Sequence, residues 1–242
     1  MDKQSEPSIL PHLTRPDKPD LLVFHDVRFC YAEVCAVGDV SLGIQPATLT
    51  VLVGPNGGGK STLMRLMTGQ LKPESGQIDR YGTVAYVPQT PSFDVAFPLT
   101  VGDFVLMGTL DKRIYPFHSY SRKDHQKAFE ALDCVGLSGL ATRGIGQLSG
   151  GQLRRAMIAR ALAADTSIIA LDEPDANLDI DANRDLYQVL CRLKKEKTII
   201  LASHHLDEVL PIADVALYVN KTVTTYPDPR VLLELLKDGL IR

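Results

Sequence analysis

No run of consecutive apolar residues in this chain approaches the 18 or more that a membrane-spanning helix needs. The polypeptide by itself is therefore expected to be soluble. Cysteine is scarce: Cys30, Cys35, Cys134 and Cys191 form no CxxC pair and have no flanking histidine at zinc-ligand spacing. That usage predicts four reduced, mostly structural thiols in a reducing compartment, the cytosol. His118 and His125 lack Cys or carboxylate partners at ligand spacing and read as solvated surface. Neither sign of charge dominates, because 26 Lys plus Arg stand against 29 Asp plus Glu, a formal net charge of −3. The balance gives no whole-chain bias toward nucleic acid or anionic lipid, and no nucleic-acid partner is expected. Internal repeats and low-complexity tracts are also absent. The N-terminus is polar, carries Pro7, Pro11, Pro16 and Pro19, and lacks the apolar core of a signal peptide. Residues 1–20 read as a flexible lead-in and 21–242 as one domain.

A chain of 242 residues can bury a core large enough to need no disulfide or structural metal. From Leu21 to Ile44 the apolar residues alternate (Leu22, Phe24, Val27, Phe29, then Val37, Val40, Leu42), which predicts short antiparallel strands exposed on one face. Further on, Leu49–Val53, Thr83–Val87, Thr166–Leu171, Thr198–Ala202 and Val215–Val219 are apolar runs rich in β-branched residues, read as strands buried on both faces of a parallel sheet. Helical stretches near 125–136, 150–164, 180–194 and 206–212 alternate with them, so the fold class is α/β. Residues 98–148 carry no strong strand signal and are broken by Pro98, Pro116 and glycines, which reads as an inserted helical subdomain. From Thr222 the tail reads as one more strand and a final helix, Pro229 to Leu240.

The chemistry begins at residues 54–62, Gly54-Pro55-Asn56-Gly57-Gly58-Gly59-Lys60-Ser61-Thr62, which fit G-x-x-x-x-G-K-[ST]. A strand-like run enters this stretch, Leu63–Met67 leaves it with helical spacing, and Gly69 supplies a helix stop. Glycines let the backbone N–H groups turn inward, the next helix aims its positive end at the same point, and Lys60 adds a mobile charge. A polyphosphate would meet a ready-made anion site there, with Ser61 offering a hydroxyl to Mg²⁺. A second motif, Leu148-Ser149-Gly150-Gly151-Gln152, opens a helical run. Ser149 and Gln152 satisfy a capping box, which leaves the two glycines unexplained. Adjacent glycines at a helix start weaken the helix and are tolerated where a backbone must come close to a ligand.

With both motifs in place, the chain from Leu21 to about Val219 resembles the ATP-binding cassette family, with 54–61 as its Walker A loop and 148–152 as its signature. The resemblance implies a P-loop NTPase core with a mostly parallel sheet, an N-terminal antiparallel β subdomain and an inserted α-helical subdomain. It also implies ATP and Mg²⁺ as cofactors. Tyr31 falls where the family stacks an aromatic residue on adenine, although any tyrosine near a strand edge would look the same. Gln89, in Tyr86-Val-Pro-Gln89, falls at the glutamine that reaches Mg²⁺ and the attacking water. Asp172 and Glu173 end the Walker B strand, Asp172 placed to hold Mg²⁺ through water and Glu173 to orient and deprotonate the attacking water. Asp172 could instead cap the next turn and Glu173 form a surface ion pair. Asn177-Leu-Asp179 resembles the D-loop. His204 resembles the switch histidine that contacts the γ-phosphate, while the adjacent His205, where the family commonly has Asp, leaves a one-residue ambiguity.

The resemblance further implies that two copies close on two ATP, with Ser149, Gly150 and Gly151 of one copy reaching the γ-phosphate held by the other. The short span from Lys60 to Leu148 departs from DNA-repair relatives with an inserted coiled coil, and a single cassette departs from tandem translation factors. A transporter ATPase working with separate transmembrane permease subunits is the leading expectation, on the cytoplasmic face of the inner membrane and served indirectly by a periplasmic or lipoprotein solute-binding protein. A soluble cassette ATPase of iron–sulfur cluster assembly and a non-catalytic nucleotide-binding regulator are the competing classes. Residues 89–108 resemble the zinc/manganese/iron branch of importer ATPases, with metal-chelate importers sharing much of the pattern.

Overall fold

The computed structural model describes residues 19–91, 93–94, 97–110 and 119–241. Most of the expected lead-in, three residues of the 89–108 stretch, and the segment holding Pro116 and His118 lie outside the described residues.

Two sheets carry the architecture. A three-stranded antiparallel sheet has the order β2-β1-β4, from β1 (Leu22–Tyr31), β2 (Val34–Ile44) and β4 (Ser75–Arg80). A six-stranded sheet has the order β5-β6-β7-β3-β8-β9, from β3 (Leu49–Val53), β5 (Val84–Val87), β6 (Ile168–Asp172), β7 (Thr198–Ala202), β8 (Val215–Asn220) and β9 (Thr222–Tyr226). Its first five members are parallel and only β9 runs antiparallel. The fully buried runs β3, β6 and β7 sit at its centre, as strands covered on both faces must.

Period-two alternation divides the core. Leu49, Val51 and Val53 of β3, with Ile199 and Leu201 of β7, join the helical layer, whereas Leu52, Ile200 and Ala202 join α1 (Lys60–Met67) and the antiparallel sheet. The helical layer comprises α2 (Val101–Leu106), α3 (Arg122–Cys134), α4 (Gly150–Ala163) and α5 (Ile180–Leu193), and α2 and α3 pack on α4. Side chains start these helices: Thr100, Ser121, Ser149 and Asp179 each accept a backbone N–H from the first turn. α6 (Leu206–Val209) and α7 (Pro229–Lys237) complete the chain.

Two features differ from the sequence reading. β4 was not expected, because Ser-Gly-Gln-Ile-Asp-Arg has one apolar residue and no alternation; it exists by pairing its edge to β1. Cys30 and Cys35 were expected to be reduced thiols but form a disulfide. The β1–β2 register sets them directly opposite each other, with Cα atoms 3.8 Å apart, a proximity that five residues of sequence separation do not announce. Cys134 and Cys191 remain free.

Candidate functional site

The C-terminal ends of the parallel strands converge on one edge of the sheet, and the loops leaving β3, β5, β6 and β7 carry the chemistry. After β3, the loop 54–59 folds back on the β8–β9 turn: Gly58 N–H donates to Pro55 O at 3.0 Å and Lys221 N–H to Gly58 O at 2.8 Å. Glycine is required here by space and by backbone. Gly54 has φ 149° and a Cβ there would sit 2.0 Å from Val219 O; Gly59 has φ 104° and a Cβ would sit 2.2 Å from Ala36 O. Gly59 leads directly into α1, so the helix N-terminus faces the loop. Asn56, Gly57 and Ser61 are exposed around a buried floor of Gly58, Gly59, Lys60 and Thr62.

Lys60 is 6% exposed, and its Nζ donates to Gly54 O at 2.8 Å and Pro55 O at 3.0 Å. Burial pulls its pKa down, while the Glu173 and Asp172 carboxylates push it back up. Asp172, at the end of β6, turns Oδ1 toward the Ser61 hydroxyl at 3.4 Å and accepts the Tyr86 hydroxyl on Oδ2 at 2.8 Å. Burial first, and then that bond to Asp172, push the Tyr86 phenol up to about 12. Glu173 has φ 46°, a left-handed backbone unusual for a side chain of this size, and its N–H donates to Ala202 O at 2.9 Å.

The Glu173 carboxylate is held from two sides. Its Oε2 accepts from Gln89 Nε2 at 2.5 Å, and its Oε1 lies 2.9 Å from His204 Nε2. The ambiguity between the two histidines narrows here: His204 meets Glu173, whereas His205 turns its N–H to Ser203 Oγ at 3.0 Å and begins α6. Tyr31 ends β1 opposite Val34, 46% exposed and edge-on to Phe29. Ala36 of the same hairpin abuts Gly59 at the end of the loop.

Residues 148–152 form the start of α4. Ser149 Oγ accepts the Gln152 N–H at 3.2 Å and Gln152 Oε1 accepts the Ser149 N–H at 3.1 Å. The two glycines differ. Gly150 is exposed, with room for a Cβ 3.6 Å from Leu178 Cδ2, while Gly151 is buried and a Cβ there would meet the Ala182 Cβ at 2.9 Å. Close approach of α5 gives Gly151 a packing reason to lack a side chain.

Residues 37–176 match the sequence profile described as ABC transporter. The chain belongs to the ABC transporter family. It is 36% identical over 223 residues to a probable metal transport system ATP-binding protein of Chlamydia trachomatis, covering 88% of this chain and 94% of that protein. It is 38% identical over 213 residues to a manganese transport system ATP-binding protein of Listeria innocua, covering 83% and 87%. Among solved structures, the ADP conformation of an ATP-binding cassette of an ABC transporter superposes with TM-score 0.82 at 26% identity, over 93% of this chain and 97% of that one. A dimeric bacterial ABC transporter cassette gives TM-score 0.72 at 25% identity, over 85% and 98%.

As an ABC transporter cassette, the chain is an ATPase. Within its site, three residues were missed from sequence. Tyr86 was quoted only as a neighbour of Gln89, although its hydroxyl bonds Asp172. Arg154 of α4 donates to Pro88 O at 3.0 Å, joining the signature helix to the Gln89 loop. Asp175 is 1% exposed and accepts hydroxyls from Tyr187 and Ser203. Its position three residues past Asp172 gave the only signal, and long-range partners cannot be read from such spacing. Among the described residues no helix is long and apolar enough to cross a membrane.

Proposed function

We propose that this chain is the ATP-hydrolysing subunit of a bacterial importer of a divalent metal ion of the zinc, manganese or iron group, and that two copies close on two ATP. The observation that carries the catalytic reading is the Glu173 carboxylate, gripped between Gln89 and His204 beside a loop floored by Lys60. The phosphate chain lies along 54–62, where inward N–H groups, the α1 N-terminus and the Lys60 ammonium neutralise it. Tyr31 covers the adenine.

The oxygen donors fit magnesium, a hard cation that takes a few protein oxygens and keeps several waters. Ser61 Oγ, the Asp172 carboxylate and Gln89 would hold it, and when bound it would neutralise charge on the phosphates. Glu173 accepts the proton of the attacking water, Gln89 orients that water, and His204 steadies Glu173 and reaches the γ-phosphate. Ser149, Gly150 and Gly151 at the start of α4 supply donors to the nucleotide of the second copy, so one copy alone has an incomplete site.

Metal cargo is supported by the relatives' names, which describe ATP-binding proteins of metal and manganese transport systems. A cavity of about 540 Å³ lined by Tyr86, Phe93, Phe104, Met107, Met157 and Arg160 lies between the core and the helical layer. The exposed Phe97 and Met107 near it suit a permease segment, which would hold the subunit at the cytoplasmic face of the membrane. A solute-binding protein would deliver the ion on the far side.

Size-exclusion chromatography of Glu173→Gln with MgATP tests the site: a stable dimer that releases no phosphate is expected, and a persistent monomer at saturating nucleotide refutes the scheme. Reconstitution with its permease in vesicles tests the cargo. ATP-dependent uptake of free manganese, zinc or iron supports the reading, uptake of only a metal chelate moves it to chelate import, and purification with soluble scaffold proteins moves it to iron–sulfur cluster assembly.

A further inference from the structure

Beyond the backbone bond from Glu173 N–H to Ala202 O at the end of β7, the turn that carries Glu173 and the loop that carries His204 meet through two side-chain contacts. One meeting is the exposed contact of Glu173 Oε1 with His204 Nε2, at 2.9 Å. The other is buried beneath it. Asp175, 1% exposed, accepts the Tyr187 hydroxyl at 2.6 Å and the Ser203 hydroxyl on the same Oδ2. Ser203, also 1% exposed, accepts the His205 N–H at 3.0 Å, so one hydroxyl is tied on both sides of His204. Tyr187 belongs to α5, the helix that Asp179 starts. One carboxylate oxygen thereby joins the end of β6, the end of β7 and α5.

We propose that Asp175 is a positioning residue for hydrolysis: by holding Ser203 and Tyr187 it sets the two loops at the separation at which His204 and Glu173 meet. The surface contact is ill suited to this task alone, since an exposed polar contact contributes little and the His204 side chain is 45% exposed. Glu173 also has a left-handed backbone, φ 46°, and Asn177 another at φ 61°. Such conformations persist only where surrounding structure over-determines them. The turn between them is pinned by Ala176 N–H to Glu173 O at 3.2 Å, and the Asp175 side chain fastens that turn to the loop of His204. A carboxylate suits this position because it presents only acceptors, so two hydroxyls can donate to it together. The hydroxyl of Ser203 then leaves its lone pairs to the His205 N–H.

This inference rests on the roles proposed above for Glu173 and His204. The test measures phosphate release and nucleotide affinity on the full chain for Asp175→Ala, Asp175→Asn, Ser203→Ala and Ser203→Thr, beside Glu173→Gln and the packing control Val189→Ala on α5. A misplaced catalytic pair is expected to lower kcat about ten- to a hundredfold in Asp175→Ala and Ser203→Ala. KM and the affinity for a fluorescent ATP analogue should stay near wild type, and Ser203→Thr, which keeps the hydroxyl, should restore turnover. Val189→Ala should lose thermal stability while keeping kcat. Wild-type turnover in Asp175→Ala overturns the proposal, and so does a kcat that falls only in step with nucleotide affinity and melting temperature. Should Asp175→Ala fail to fold, the Ser203 pair decides alone. If Glu173→Gln itself leaves phosphate release intact, the reading of the whole site fails; if it stops release while Asp175→Ala and Ser203→Ala do not, only the Asp175 proposal fails.

Discussion

Replacing Gly150 and Gly151 separately by alanine should produce opposite effects on stability from two adjacent residues of one motif. A methyl on Gly151 would lie 2.9 Å from the Ala182 Cβ, closer than carbon atoms pack, so α4 and α5 must separate. Overpacking of this kind costs about 1–3 kcal/mol, offset by up to about 1 kcal/mol because alanine favours helix over glycine. With an overpacking cost of about 2 kcal/mol, the middle of that range, the net loss is about 1–2 kcal/mol. For a chain of 242 residues each kcal/mol moves Tm by about 2–4 °C, so Gly151→Ala should melt about 2–8 °C lower. At Gly150 the nearest neighbour, Leu178 Cδ2, lies at 3.6 Å, an ordinary contact, and the same exchange should leave Tm unchanged or raise it by about 1–4 °C. Function should part from stability at that residue. Gly150 is exposed on the side proposed to meet the second copy's ATP, so Gly150→Ala should fold well yet lose ATP-driven pairing and phosphate release. Differential scanning calorimetry with a dimerisation assay on both variants checks this. Equal melting shifts would refute the packing argument, and a fully active Gly150→Ala would refute its place beside nucleotide.

Other perturbations reach the same machinery. Tyr86→Phe removes a hydroxyl 2.8 Å from Asp172 Oδ2 and should lower stability by about 1–2 kcal/mol, read by urea denaturation, and weaken Mn²⁺ binding in the presence of nucleotide, read by electron paramagnetic resonance. Gly59→Ala must fit a methyl 2.2 Å from Ala36 O at a positive φ, and should abolish ATP binding by isothermal titration calorimetry. Burial and the bond to Asp175 raise the Tyr187 phenol above its ordinary value. The native state therefore holds that proton more tightly than the unfolded chain, so its contribution is complete below about pH 10 and is lost as pH rises beyond it. Tyr187→Phe should flatten this alkaline loss in a pH series of unfolding midpoints, at the expense of lower stability at neutral pH.

Local sequence determined the elements whose signals are local. The runs 49–53 and 198–202 became β3 and β7 because a strand covered on both faces favours a nearly continuous run of apolar and β-branched residues, with Thr50 and Thr198 the polar members. The phosphate loop was legible for a similar reason: glycines, lysine and serine must be contiguous for their N–H groups, charge and hydroxyl to surround one anion. Asp172, Glu173, Gln89 and His204 could be named from their motifs, but their meeting depends on three neighbouring strands of one sheet, β5, β6 and β7, ending side by side.

Tertiary structure alone decided what pairs across long stretches of chain. β4 is a strand only because β1 offers it an edge, and Cys30 meets Cys35 because a hairpin register, invisible in composition, sets them opposite. Gly151 answers to Ala182 on another helix, and Asp175 finds Ser203 and Tyr187 only after β6, β7 and α5 have packed. Contiguous groups can specify a phosphate site through the backbone they share. Residues far apart in sequence act together only once the sheet has fixed their separation.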